Sequence, residues 1–162
     1  MKPAIIALVL ALIVIFTFAA CSGWNKYTST GGNKIYSFSG ENEFIEINNG
    51  MIVITAGLEK FIGGDLLIKG EQPANVLSYS EKFYFFMDGG EENVIQNNIA
   101  SIEGSAEGIS IDANLGSTTA EKIFNAEVWD MLINSLNFTL SGIFVNGERF
   151  EYSIVLDVKE VL

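Results

Sequence analysis

Histidine is missing from this chain, and cysteine occurs only once. Without histidine the chain lacks the commonest general base and the usual transition-metal ligand. Ser–His–Asp and Cys–His catalysis are excluded within the chain itself. So are histidine-based zinc sites, and a single cysteine cannot build a thiolate one. Nor can it close a disulfide within the chain. Basic residues are scarce as well, 9 against 20 acidic ones, for a net charge of −11 over 162 residues. A body so acidic is repelled by nucleic acid and by anionic lipid headgroups.

The phosphate and metal patterns are also lacking. Gly63-Gly64-Asp65 has neither the following Lys-Ser/Thr nor the helix that a phosphate cradle requires. Asp88-Gly89-Gly90-Glu91-Glu92-Asn93 offers oxygen ligands without EF-hand spacing, and reads as an acidic hairpin turn. The acids are scattered, as on a solvated surface, and no pair stands out as a general acid and base. No cofactor, metal or catalytic residue is therefore expected.

What is present begins with the leader. Lys2 is followed by an apolar stretch from Ala4 to Ala20, broken only by Thr17, and then by Cys21, Ser22, Gly23, Asn25 and Lys26. This is the layout of a secretory signal, with small residues before the cleavage point. Phe18-Ala19-Ala20-Cys21 resembles the lipobox of bacterial lipoproteins, with Phe18 in place of the family's usual Leu. The resemblance implies cleavage between Ala20 and Cys21, an S-diacylglycerol on the Cys21 sulfur, and an acyl group on the new amine. Such palmitate-type chains contribute roughly 0.8 kcal/mol per buried methylene, and two or more hold stably. Two other readings remain open at this point. The 17 positions from Ala4 to Ala20 lie near the lower limit for an uncleaved transmembrane helix. Cys21 could also follow an ordinary cleaved signal. All three put the remainder outside the cytoplasm.

Without residues 1–20, one lysine and no acid are lost, leaving 142 residues of net charge −12. That length fits one domain with a substantial core. Residues 21–33 read as the lipidated cysteine and a flexible Ser/Thr/Gly tether, with Trp24 and Tyr27 its only large side chains. Residues 34–162 read as a single β-rich domain. Ile35, Tyr36 and Phe38 suggest a first strand. Asn49-Gly50 between isoleucine-rich runs predicts a hairpin; a two-residue turn, the preferred reading, stacks Ile45, Ile47, Ile52 and Ile54 on one face, whereas a three-residue loop would group Ile45 and Ile47 with Met51 and Val53. Phe61-Ile62 and Leu66-Leu67-Ile68 suggest short strands either side of a glycine break. Lys82–Met87 has no polar alternation after Lys82, which suits a central strand covered on both faces. Glu91–Ser117 shows only Val94-Ile95 and Ile109-Ser110-Ile111 as candidate strands.

From Ala120 to Ser135, Ile123, Phe124, Val128, Met131 and Leu132 fall at helical spacing, with Asn125 a candidate N-cap. Leu136–Phe144 and Phe150–Val158 then alternate as a final hairpin. A three-residue loop, Val145-Asn146-Gly147, places both apolar rows on one face and Gly147 at the left-handed position of a G1 bulge. It also sets Gly142 opposite the Phe150 ring. The whole predicts a mainly β protein, an antiparallel sandwich of immunoglobulin-like or related type with one short helix. A β-barrel is the alternative.

The stretch Tyr36-Ser37-Phe38-Ser39-Gly40-Glu41 is similar to the opening of small lipoproteins from Gram-positive bacteria, a likeness that implies no activity. The expected function is a lipid-anchored extracytoplasmic lipoprotein, a non-catalytic binding module at the cell envelope. It would meet the membrane through acyl chains on Cys21, and an envelope protein, polymer or small ligand through its body. The alternatives are a carboxylate-dependent envelope hydrolase and a purely structural lipoprotein.

Overall fold

A computed structural model describes residues 33–69, 76–102, 108–124 and 129–162. The strands lie within the compact unit Gly31–Leu162. Cys21, the Ala20–Cys21 junction, Trp24, Tyr27 and Asn125 lie outside the described residues.

Two antiparallel sheets pack face to face. The first runs β10-β1-β2-β3-β7, with β4 also paired to β2; the second runs β6-β5-β8-β9. The strands are β1 (Lys34–Glu41), β2 (Ile45–Ile54), β3 (Glu59–Ile62), β4 (Asp65–Ile68), β5 (Val76–Phe86) and β6 (Glu92–Ser101). After them come β7 (Ser117–Ala120), helix α1 (Trp129–Ser135), β8 (Asn137–Phe144), β9 (Arg149–Val155) and β10 (Asp157–Glu160). The sandwich expected from the pattern is present. The barrel is not, because the two sheets do not close on one another.

Four phenylalanines hold the sheets together. Phe38 and Phe61 come from the first sheet, Phe83 and Phe138 from the second. Phe83 meets the other three at centroid distances of 5.8, 4.9 and 4.8 Å. Rings at these separations add about 1 kcal/mol per pair beyond the area they bury.

The expected hairpin at Asn49-Gly50 does not form. Residues 45–54 are one continuous strand, and β1 turns into it through Asn42, whose Oδ1 accepts from the Phe44 and Ile45 amides at 2.8 and 2.9 Å. Asn49 adopts a φ of 59°, and the β1–β2 register slips by one residue between Phe38 and Gly40. The Asn-Gly pair therefore makes a bulge. Its extra residue reverses the phase of the strand. Ile47 and Ile52, an odd number of residues apart, thus both point inward and are fully buried along with Ile45. The shared face is as the sequence suggested, but a kink produces it. The glycine break lies opposite the kink: Asn48 pairs with Asp65 and Met51 with Ile62. Any Cβ on Gly64 would overlap the Asn48 carbonyl oxygen.

Three further expectations are corrected. Of Lys82–Met87, all but Met87 lie in the central strand β5, but only one face of it is sealed: Phe83 and Phe85 are buried, while Tyr84 is half-buried and Phe86 exposed. The apolar run misleads because Tyr84 and Phe86 cover each other as an edge-to-face pair on the outer face. Within Glu91–Ser117 stands the ten-residue strand β6. Its Asn- and Gln-rich sequence hides a ladder that pairs with β5 along its length, while Ile109 makes only an isolated bridge to Val76. The expected helix is shorter than its periodicity. Residues 117–120 are strand, and α1 begins at Trp129, which stacks on Tyr36 at 5.3 Å.

The last hairpin has the expected register. Gly142 pairs with Phe150 and Ile143 with Arg149. The Phe144 amide donates to Glu148, the Gly147 amide donates back to Phe144, and Gly147 has a φ of 87°. A Cβ on Gly142 would come 2.5 Å from the Phe150 ring. The apolar row of β9 continues through Leu156, whose amide donates to Leu136 at 2.8 Å, and the chain there leaves the second sheet for the first.

Candidate functional site

Two places carry polar chemistry that the core does not explain, and they lie on opposite faces of β5. The first is internal. Tyr79, Glu81, Phe83 and Phe85 alternate inward along β5, so the strand carries a carboxylate into the core phase. Glu81 is 2% exposed. Its Oε1 accepts no hydrogen bond among the described residues, and its Oε2 is reached only by the Asn98 amide at 3.5 Å. A buried charge left this way is costly. Burial pushes the Glu81 carboxyl up to about 7; the Asp112 charge adds to the rise, and the Asn98 amide partly offsets it.

Around Glu81 the chain has built a small polar nest. Gln96 and Asn98 of β6 both donate to the Leu115 carbonyl, at 2.5 and 3.1 Å. Thr118 donates to Gln96 at 3.3 Å, and the Tyr79 hydroxyl accepts from the Asp112 amide at 3.2 Å. Leu115 belongs to a strap, residues 108–116, that bonds to both sheets. The Ile109 amide donates to Val76, and the Leu66 and Gly63 amides donate to Ala113 and Gly116. The nest thus sits where the strap crosses the seam between the sheets.

The second place is external. At one end of the second sheet's outer face, serines of β5 and β8 lie between larger side chains of the edge strands. They leave a shallow trough of about 500 Å³. One cross-strand row is Ile99, Ser80, Ser141 and Glu151; the next runs through Ser78, Ile143 and Arg149. Ile99 is 71% exposed at the β6 end. Arg149 and Glu151 are exposed at the β9 end, two residues apart on one face, and make no ion pair with each other.

The residues singled out from the sequence fall elsewhere. Of Asp88–Asn93, the first four residues form a tight turn with Gly89 and Gly90 at positive φ, closed by the Met87 amide on the Glu91 carbonyl at 2.7 Å, while Glu92 and Asn93 open β6. No group of three or more acidic, histidine or cysteine side chains converges among the described residues. Tyr36 and Phe38 are buried in the core. No helix among the described residues is long and apolar enough to cross a membrane.

Two residues of interest were missed. Glu81 had a signal, since it falls in phase with Tyr79, Phe83 and Phe85. Arg149 had one too, as the chain's single arginine.

The class is thus an antiparallel two-sheet sandwich with a sealed interior carboxyl and an open polar trough. Comparison with known proteins returns no matching family model, no similar curated protein and no similar solved structure.

Proposed function

We propose that the chain is a lipid-anchored lipoprotein on the extracytoplasmic face of a bacterial membrane, and that its sandwich is a non-catalytic binding module. The observation that carries the anchor is the leader: Lys2, an apolar run, and Ala19-Ala20-Cys21 followed at once by polar residues. The first strand starts at Lys34, which leaves a dozen residues after Cys21 as tether. Acyl chains supply the attachment that an acidic body cannot obtain from a basic patch.

The trough supports the binding half of this reading. Its volume lies within the range of ligand sites, and its lining mixes hydroxyls, one cation, one carboxylate and two isoleucines. A carboxylate hydrolase is less well supported. A general acid must reach the proton it transfers, whereas Glu81, the carboxyl with the suitably raised pKa, faces the core and not the trough.

Mass spectrometry of the mature protein tests the anchor. The expected product begins at Cys21 and carries a diacylglycerol-sized addition on it. Cys21→Ala should abolish both the addition and the cleavage. A free Cys21 thiol, or a different first residue, refutes the proposal.

A further inference from the structure

The body carries many more acids than bases, so its field repels anions, and most of its described cations are already matched. Lys69 pairs with Glu41, Lys82 with Glu92 at 2.8 Å, and Lys159 with Asp157 at 2.6 Å. Arg149 differs. It makes no ion pair or hydrogen bond among the described residues, although Glu148 and Glu151 flank it in sequence. It stands at the β9 end of the trough. A free guanidinium presents a planar fork of donors that matches a carboxylate.

The rest of the trough has matching features. The Ser78 and Ser141 hydroxyls make no hydrogen bond among the described residues, while Ser80 is engaged with Asn97 at 2.7 Å. Free hydroxyls on a sheet face can serve the N–H and C=O groups of amides. Ile99 and Ile143 supply apolar surface, and Ile99 does so at the end remote from Arg149. Three interstrand spacings separate β6 from β9, about 14 Å. That is the length of a short extended molecule laid across the strands.

We propose that the trough binds a carboxylate-terminated, N-acylated dipeptide-like ligand, with Arg149 clamping the carboxylate, the serines serving the amides and Ile99 receiving the acyl end. The inference rests on reading the body as a binding module and names the ligand class. Glu151, on the same face as Arg149, opposes the bound charge and limits affinity.

The test uses the mature protein in detergent micelles, titrated with N-hexanoyl-glycyl-glycine, with its C-terminal amide and with inorganic phosphate, and followed by amide NMR shifts. The acid should perturb residues lining the trough and bind about tenfold more tightly than the amide. Arg149→Gln should erase that preference, and Glu151→Gln should strengthen acid binding. Equal affinity for acid and amide, a preference that survives Arg149→Gln, tighter binding of phosphate, or silence at millimolar acid would each overturn the proposal. The readout does not depend on acylation. Acid binding by a chain with an unmodified Cys21 would end the anchor and keep the ligand class, and a lipidated chain indifferent to the acid would do the reverse.

Discussion

Replacing Glu81 by Gln should make the domain more stable at alkaline pH and leave it little changed at acid pH. In the unfolded chain the carboxyl titrates near 4.5; in the folded one it is held at about 7. The folded state therefore holds its proton over a range where the unfolded state has released it. The contribution of Glu81 to stability is highest below 4.5, falls as pH rises from 4.5 to 7, and stays low above. The full loss is about 3 kcal/mol, a sizeable part of an ordinary domain's stability. Glutamine keeps the shape and cannot ionise. Its amide brings two donors to a nest whose Leu115 carbonyl already accepts two hydrogen bonds, which returns about 1 kcal/mol of the benefit. The expected gain is thus about 2 kcal/mol at pH 8.5 and close to zero or slightly negative at pH 5. Urea unfolding of wild type and variant at both pH values measures it. The difference between the two proteins isolates Glu81 from the other acids, provided the denaturant slope is unchanged. A difference that is the same at pH 5 and pH 8.5 would refute the argument, because it would mean that the folded state does not hold this proton. Asp112→Asn should reduce the pH dependence only in part, since burial is the larger cause.

Two changes at glycines separate backbone conformation from crowding. Gly147→Val should destabilise the domain by about 1–2 kcal/mol, because a β-branched residue resists the positive φ there; Gly147→Asn should cost much less, and equal melting temperatures for wild type and Gly147→Val would argue against the turn. No atom lies within 4 Å of a Cβ at Gly147, so that cost is conformational alone. Gly64→Ala should cost more than Gly147→Ala, since it adds overlap with the Asn48 carbonyl to a similar φ; thermal melts that rank the two the other way would show that β2 and the glycine break are not in close contact.

The sequence made the second sheet's last hairpin legible because local chemistry and packing agree there. Asn146-Gly147 requires one turn, and the alternating rows on either side require the same register. At Asn49-Gly50 they disagree. The dipeptide favours a turn, yet β3 and β4 continue in one register past the kink, so extended pairing on both edges of β2 outweighs the turn preference. Local pattern could not reveal this, because the deciding partner is a pair of glycines some fifteen residues downstream. Strand β6 was hidden for a related reason. Val94 and Ile99 are exposed, and its inward positions include Gln96 and Asn98, so apolar periodicity is weakest where the sheet turns polar inward.

That polar inward patch is also the reason the two candidate sites could not be read together from sequence. The alternation of β5 assigns Glu81 to one face and Ser78 and Ser80 to the other. Only the positions of β6, β8 and the strap turn those assignments into a nest and a trough. A leucine at position 81 would complete the core between Leu140 and Phe83 without the cost of a buried carboxyl. It would also leave Gln96, Asn98 and the Leu115 carbonyl facing an apolar neighbour, and these are the groups through which β6 holds the strap. The nest therefore works as a joint between the sheets. It ties β6, whose Ile99 forms one end of the trough, to the strap. An unstable joint beneath a binding face would blur the spacing that the face has to offer. On this argument Glu81→Leu should raise global stability more than Glu81→Gln does, yet should increase hydrogen exchange at Leu115 and Gly116; protection unchanged in the strap would show that the two sites are independent.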